Sequence, residues 1–177
     1  MSSKLYRKLG SEQIYKGRIF SVEHATIAAP DGKIMTRDVI RHNGSVAIVP
    51  FLDKNHIILI KQYRLPADAY LYEIPAGTID PGEKPLQCAK RELIEETGHS
   101  GKHWEKTAEF FSCPGFCSEK LYLYRATGLT PVKEFHRDED EDIEVKIFSI
   151  REIRKMLAED AFVDSKTLIG LLDLFVK

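Results

Sequence analysis

Nothing in this sequence approaches the ~18 consecutive apolar residues that a membrane-spanning helix needs. The stretch Met1 to Phe20 carries basic residues with no apolar core after them, so it does not read as a secretory leader. Cysteine is scarce and odd in number. Three thiols give no even disulfide framework, which fits a reducing compartment and a cytoplasmic protein. An excess of one charge is missing too. Lysine and arginine total 26 against 27 aspartates and glutamates, for a net charge of −1. That balance argues against a general binder of nucleic acid or of an acidic membrane surface. No internal repeat and no long linker is present. What remains is 177 residues, 43% hydrophobic and 30% charged. Such a chain suits one domain with a small extension, and it buries a core without disulfide or metal staples.

The first half reads as strands. Gln13 to Ala28 and Lys33 to Arg41 are rich in β-branched and aromatic residues and flank the turn Pro30-Asp31-Gly32. Ser45 to Leu52 and His56 to Gln62 form a second pair around Asp53-Lys54-Asn55, and Leu71 to Ile74 runs into Pro75-Ala76-Gly77. A polar loop from Thr78 to Gly82 precedes a helix over Pro85 to Thr97, with Pro85 in its first turn and Gly98 at its C-cap. Strands return at Glu109 to Ser112, Lys120 to Ala126 and Ile143 to Ile150. Helices over Ile150 to Glu159 and Ser165 to Val176 close the chain, so the fold class is a layered α/β or α+β one.

The helix over 85–97 is unusually acidic. At about 100° per residue, Leu86, Leu93, Ile94 and Thr97 share one side, while Glu92, Glu95 and Glu96 fall opposite. Carboxylates at i, i+3 and i+4 repel one another, and they sit near the C-terminal end, where the helix dipole disfavours anions. A divalent cation relieves both penalties, because hard ions such as Mg²⁺ take oxygen ligands. The alternative is an ordinary solvated acidic face, which the Glu-Glu pair alone would favour. Three carboxylates behind a Gly/Pro loop tilt the reading toward metal.

Other motifs fail. Gly77 to Lys84 is not a phosphate-binding P-loop, because Glu83 stands where the lysine belongs. Asp138 to Asp142 is not a calcium loop, because Ile143 replaces the required glycine. Cys113 and Cys117 lack a second Cys/His pair at zinc spacing, Cys88 reads as a packed thiol, and the six histidines are scattered.

Gly77, Glu83 and the run Arg91-Glu92-Leu93-Ile94-Glu95-Glu96-Thr97-Gly98 carry the spacing of a known signature, and the sequence resembles the Nudix family. The one departure is His99, where that family usually has an aliphatic residue. Pro114 lies sixteen residues after Gly98, and this spacing is similar to that of the ADP-ribose pyrophosphatase and nucleoside diphosphate sugar hydrolase branch. So are Gln62-Tyr63-Arg64, Glu73-Ile74-Pro75-Ala76-Gly77 and Glu139 to Val145.

The resemblance implies an α/β/α sandwich with a mixed sheet, preceded by an antiparallel strand extension. The expected division is 1–42 for the extension and 43–177 for the hydrolase domain. It implies Mg²⁺, with Mn²⁺ as a substitute, held by Glu92, Glu95, Glu96 and the backbone carbonyl of Ala76. Catalytic roles fall to Glu95, to Arg91 (paired with Glu83) and to Glu141 as the base, with Glu139 and Glu119 as rivals. Substrate contacts fall to Arg64, Arg37, Phe20, Glu73 and Pro114. The family's dimers imply a homodimer whose site borrows Arg37 or Phe20 from the partner.

The expected reaction is hydrolysis of ADP-ribose to AMP and ribose 5-phosphate. Another nucleoside diphosphate sugar, such as GDP-mannose or UDP-glucose, is the close alternative. A non-catalytic nucleotide-binding domain is a third reading, opposed by the intact Glu92, Glu95 and Glu96. A plain acidic domain without a ligand is the fourth.

Overall fold

The structure is a computed structural model that describes residues 5–134 and 142–176. The chain divides into two compact units: Met1–Gly44 with Phe111–Lys120, and Ser45–Phe110 with Leu121–Lys177.

In the first unit, β1 (Arg7–Lys16), β2 (Phe20–Ala28) and β3 (Ile34–His42) form an antiparallel sheet in the order β1-β2-β3. The turn before β3 forms as its residues dictate. Gly32 takes φ +88°, donates to the Ala29 carbonyl at 2.9 Å, and is followed by Lys33 N–H donating to Asp31 Oδ1 at 3.0 Å. The sequence reads residues 13–28 as one extended run. The structure breaks that run at Gly17, which donates to the Phe20 carbonyl at 2.9 Å, and it starts β1 earlier, at Arg7. Glu23 on β2 bridges Arg41 and Lys8, and these cations, Arg41 foremost, hold its carboxyl down to about 2. The loop after Phe111 joins this unit through β3: Ile40 N–H donates to the Phe116 carbonyl at 2.8 Å, and Ser118 N–H to the Ile40 carbonyl at 2.9 Å.

The second unit is built around β4 (Ser45–Pro50), whose six residues are all buried. β4 lies between β7 (Ala76–Thr78), antiparallel, and β10 (Lys120–Thr127), parallel, with β9 (His103–Phe111) outside β10. A parallel pair beside an antiparallel one makes the sheet mixed. A second, antiparallel sheet has the order β12-β5-β6, from Ile143–Ser149, His56–Arg64 and Ala69–Glu73. The short β8 (His99–Ser100) and β11 (Thr130–Pro131) pair with each other.

Alternate residues of a strand face opposite ways, and β4 divides the core accordingly. Val46 and Ile48 pack with Cys88, Ala89 and Leu93 of α1 (Pro85–Thr97). Ala47 and Val49 pack with Ile153 of α2 (Ile150–Ala158) and Leu171 of α3 (Ser165–Val176). Helices therefore cover both faces of this sheet. At about 1.5–3 kcal/mol for each fully buried aliphatic side chain, these two clusters dominate the unit's cohesion. α1 begins with Pro85 and ends at Gly98, which takes φ +69° and donates to the Ile94 carbonyl at 2.8 Å. Among the described residues no helix is long and apolar enough to cross a membrane.

Candidate active site

The acidic face of α1 is organised by one cation. Arg91 Nε donates to Glu83 Oε1 at 3.1 Å and Nη2 to Glu83 Oε2 at 3.0 Å. Its Nη1 donates to Glu92 Oε1 at 2.7 Å and to Glu95 Oε2 at 2.8 Å. A further Nη2 contact reaches the Thr78 carbonyl at 3.4 Å. The five N–H groups of a guanidinium thus span the loop, the strand β7 and two turns of helix. Glu83 foremost raises the basicity of Arg91 further, and Arg91 in return lowers the carboxyl pKa of Glu83. Cys88 lies inside this array, fully buried, and burial foremost, with the charge of Glu92, pushes its thiol well up. It is an inert packed thiol.

The three glutamates are not equivalent. Periodicity places all of them away from the apolar side, yet Glu96 is only 2% exposed and Leu86 is 37% exposed. The helix turns its Cys88–Ala89–Leu93–Glu96 side to the core because Glu96 has a donor there: Ala76 N–H reaches Glu96 Oε2 at 2.9 Å. A buried carboxylate with a backbone donor is tolerated where an unpaired one is not. The side chain of Glu92 is 13% exposed and that of Glu95 34% exposed, so Glu95 meets solvent most. Glu92 lies over Gly77, where its carboxylate fills the space that a β-carbon would take.

Ala76, Glu92, Glu95 and Glu96 offer only oxygen donors, which suit a hard divalent cation. The cradle over Gly77 brings Glu92 to the strand that carries the Ala76 carbonyl. Among the described residues the side chains are not drawn together as a cluster of three metal donors. Arg91 holds Glu92 and Glu95 instead. The donor set therefore suits a hard cation by its oxygen chemistry, while Arg91 holds two of the carboxylates in this structure.

A second ionic group lies in the same unit. Arg64, at the end of β5, grips Glu73 of β6 through Nε to Oε1 at 2.7 Å and Nη2 to Oε2 at 2.8 Å. Glu73 is 1% exposed and also takes Lys166 of α3. Burial pushes the Glu73 carboxyl up, but Arg64 and Lys166 outweigh it and the net shift is downward. Glu73 foremost raises Arg64, and the charges of Glu96 and Asp164 add to the effect. Lys166 was not legible as a site residue by motif. Its sequence clue is a cation in the first turn of a helix, where the dipole disfavours positive charge.

The remaining expected residues lie in the first unit. Phe20 is 41% exposed and stands 5.8 Å from the Tyr15 ring. Arg37 donates to the Thr36 carbonyl at 2.7 Å. Pro114 lines a cavity of about 310 Å³ with Arg41, Phe111, Phe116 and Ser118. Glu119 accepts from Ser112 Oγ at 2.6 Å. Glu139 and Glu141 lie outside the described residues.

Comparison with known proteins bears on this arrangement directly. A NUDIX domain model matches residues 41–169, which include β7, Glu83 and the whole of α1. ADP-ribose pyrophosphatase of Bacillus subtilis is 34% identical over 168 residues, covering 94% of this chain and 91% of that protein. The methanol dehydrogenase activator of Bacillus methanolicus is also 34% identical, over 166 residues, covering 93% and 90%. A crystal structure of ADP compounds hydrolase superposes with a TM-score of 0.86 at 25% identity, covering 99% of this chain and 95% of that one. With a domain model over most of its length and an Arg91-centred carboxylate array inside the match, the chain belongs to the Nudix family.

Proposed function

We propose that this chain hydrolyses the diphosphate of ADP-ribose, in a Mg²⁺-dependent reaction, to AMP and ribose 5-phosphate. The observation that carries the reading is the array in which Arg91 aligns Glu83, Glu92 and Glu95 beside the Ala76–Gly77 strand. The relatives named for ADP-ribose and ADP compounds support the substrate class.

Glu92, Glu95, Glu96 and the Ala76 carbonyl would hold Mg²⁺, or Mn²⁺ in its place. The bound ion would neutralise charge on the diphosphate and acidify a coordinated water. Arg91 holds Glu92 and Glu95 side by side on the face of α1 that would meet the ion. Glu95, the most exposed of the three, would meet the substrate diphosphate. Arg64 retains N–H groups beyond its Glu73 contact, and a fork of donors suits phosphate oxygens. Glu141 removes the proton from the attacking water, with Glu139 as its rival.

The extension 1–42 serves dimerisation, and Arg37 or Phe20 then lines the partner's site. The exposure of all ten β1 residues supports this, because a sheet needs a second layer to bury its apolar face. A fully active monomer by light scattering would defeat it. Three free thiols support the cytoplasm as the compartment.

The experiment is incubation of ADP-ribose in ¹⁸O-labelled water with and without Mg²⁺, products read by mass spectrometry. Mg²⁺-dependent AMP and ribose 5-phosphate, labelled on one of them, is the expected result. Intact ADP-ribose beside cleaved GDP-mannose or UDP-glucose would move the substrate assignment, and no cleavage of any would end the hydrolase reading.

A further inference from the structure

The first turn of α3 is fastened to the strand that leads into the site. Asp164 accepts from Thr167 N–H at 3.0 Å and from Thr167 Oγ1 at 2.5 Å, which caps the helix. Thr167 Oγ1, fully buried, in turn accepts from Ile74 N–H at 3.0 Å. Lys166, between these residues, bonds to Glu73 and lies 3.0 Å from Asp164 Oδ1. Residues 73 and 74, held in this way, are followed at once by Pro75, Ala76 and Gly77.

A lysine at the start of a helix is opposed by the dipole. The compensation here is a buried carboxylate that Arg64 already shares. Glu73 therefore carries two cations, one from β5 and one from α3. The Lys166 side chain is 15% exposed and its ammonium is held by Glu73 and Asp164, whereas Arg64 is 37% exposed. Arg64 is the cation able to meet a ligand, and Lys166 acts behind it.

We propose that Lys166 is a positioning residue for substrate binding. By holding the second oxygen of Glu73 it fixes the carboxylate that orients Arg64 toward the substrate diphosphate. The inference rests on the ADP-ribose reading for its substrate. With Lys166 removed, the forked Arg64–Glu73 pair can shift as a unit, and the guanidinium loses the fixed angle that phosphate recognition needs.

The test compares Lys166→Met, Lys166→Arg and Thr167→Val in the full chain. Thr167→Val loosens the same helix turn and frees the Ile74 N–H, but leaves the Glu73 carboxylate with both of its cations. Lys166→Met should raise KM for ADP-ribose about tenfold with kcat within about twofold. Lys166→Arg should restore most of the KM, and Thr167→Val should lower Tm with KM unchanged. An unchanged KM in Lys166→Met overturns the proposal, and so does an equal rise in Thr167→Val, which would assign the effect to helix docking. If Lys166→Met does not fold, Lys166→Arg and Lys166→Gln decide, with a higher KM in Gln alone supporting the role and equal values overturning it. A wild-type chain inert toward ADP-ribose would sink the activity reading instead. The positioning role is then read from the inorganic pyrophosphate concentration that half-maximally raises Tm. A midpoint shifted in Lys166→Met and recovered in Lys166→Arg supports it, and identical midpoints overturn it.

Discussion

The carboxylate of Glu92 occupies the space where a β-carbon on residue 77 would stand, so Gly77 and Glu92 fit together only because one of them has no side chain. The displaced atoms in any larger variant are the end of a flexible side chain rather than backbone. Gly77→Ala should therefore fold, with stability lowered by no more than about 1 kcal/mol. Its cost falls on Glu92, which must leave the Ala76–Gly77 strand. Turnover should drop at least about tenfold, and the Mg²⁺ concentration for half-maximal rate should rise. A thermal melt beside a Mg²⁺ titration of rate checks both, and an Ala variant with wild-type metal dependence would contradict the cradle.

Arg91→Lys separates charge from geometry. An ammonium keeps the cation but cannot reach Glu83, Glu92, Glu95 and the Thr78 carbonyl together. The variant should remain folded at neutral pH while kcat falls at least about tenfold, a loss of roughly 1.4 kcal/mol in transition-state stabilisation. Wild-type kcat in this variant would show that a point charge is enough.

Glu73 links stability to pH. Its folded carboxyl is held below the ordinary glutamate value of 4.5. The stabilisation is therefore fully present above that value and disappears as pH falls through the lower folded one. Lys166 contributes to the shift. The stability gap between wild type and Lys166→Met should be widest at neutral pH and should narrow below about pH 4.5. Urea midpoints from pH 3 to 7 measure it, and a gap independent of pH would mean that the ion pair contributes nothing.

Glu141→Gln tests the base. The amide keeps the shape of the side chain and cannot take a proton, so kcat should fall about a hundredfold or more while the metal dependence is unchanged. Near-full turnover would remove Glu141 from the mechanism, and the same measurement on Glu139→Gln decides between the rivals.

Helix α1 was legible to the residue because Pro85 and Gly98 mark its ends by backbone preference alone. Its buried side was not. The burial of Glu96 depends on the Ala76 N–H, a partner twenty residues away that no periodicity reveals. β1 was half missed for a related reason. All its residues are exposed, so no alternation of apolar and polar positions announces it, and its strand conformation comes from pairing with β2. Only the end of β9 is marked in the sequence, because His103 to Ala108 is rich in charged and polar residues. The Arg91 array follows from recognisable spacing. Lys166 follows from no spacing, because its partner Glu73 lies 93 residues earlier.

That separation has a consequence during synthesis. The Thr167–Ile74 and Lys166–Glu73 bonds both join positions 93 residues apart. A polypeptide growing on the ribosome cannot fasten Glu73 and Ile74 until residue 167 has left the exit tunnel. Until then the buried carboxylate has only Arg64 for company, and Ile74 lacks its hydroxyl acceptor. Nascent chains stalled before α3 should be open to protease around residues 73–77, and chains long enough for α3 to clear the tunnel should be closed there.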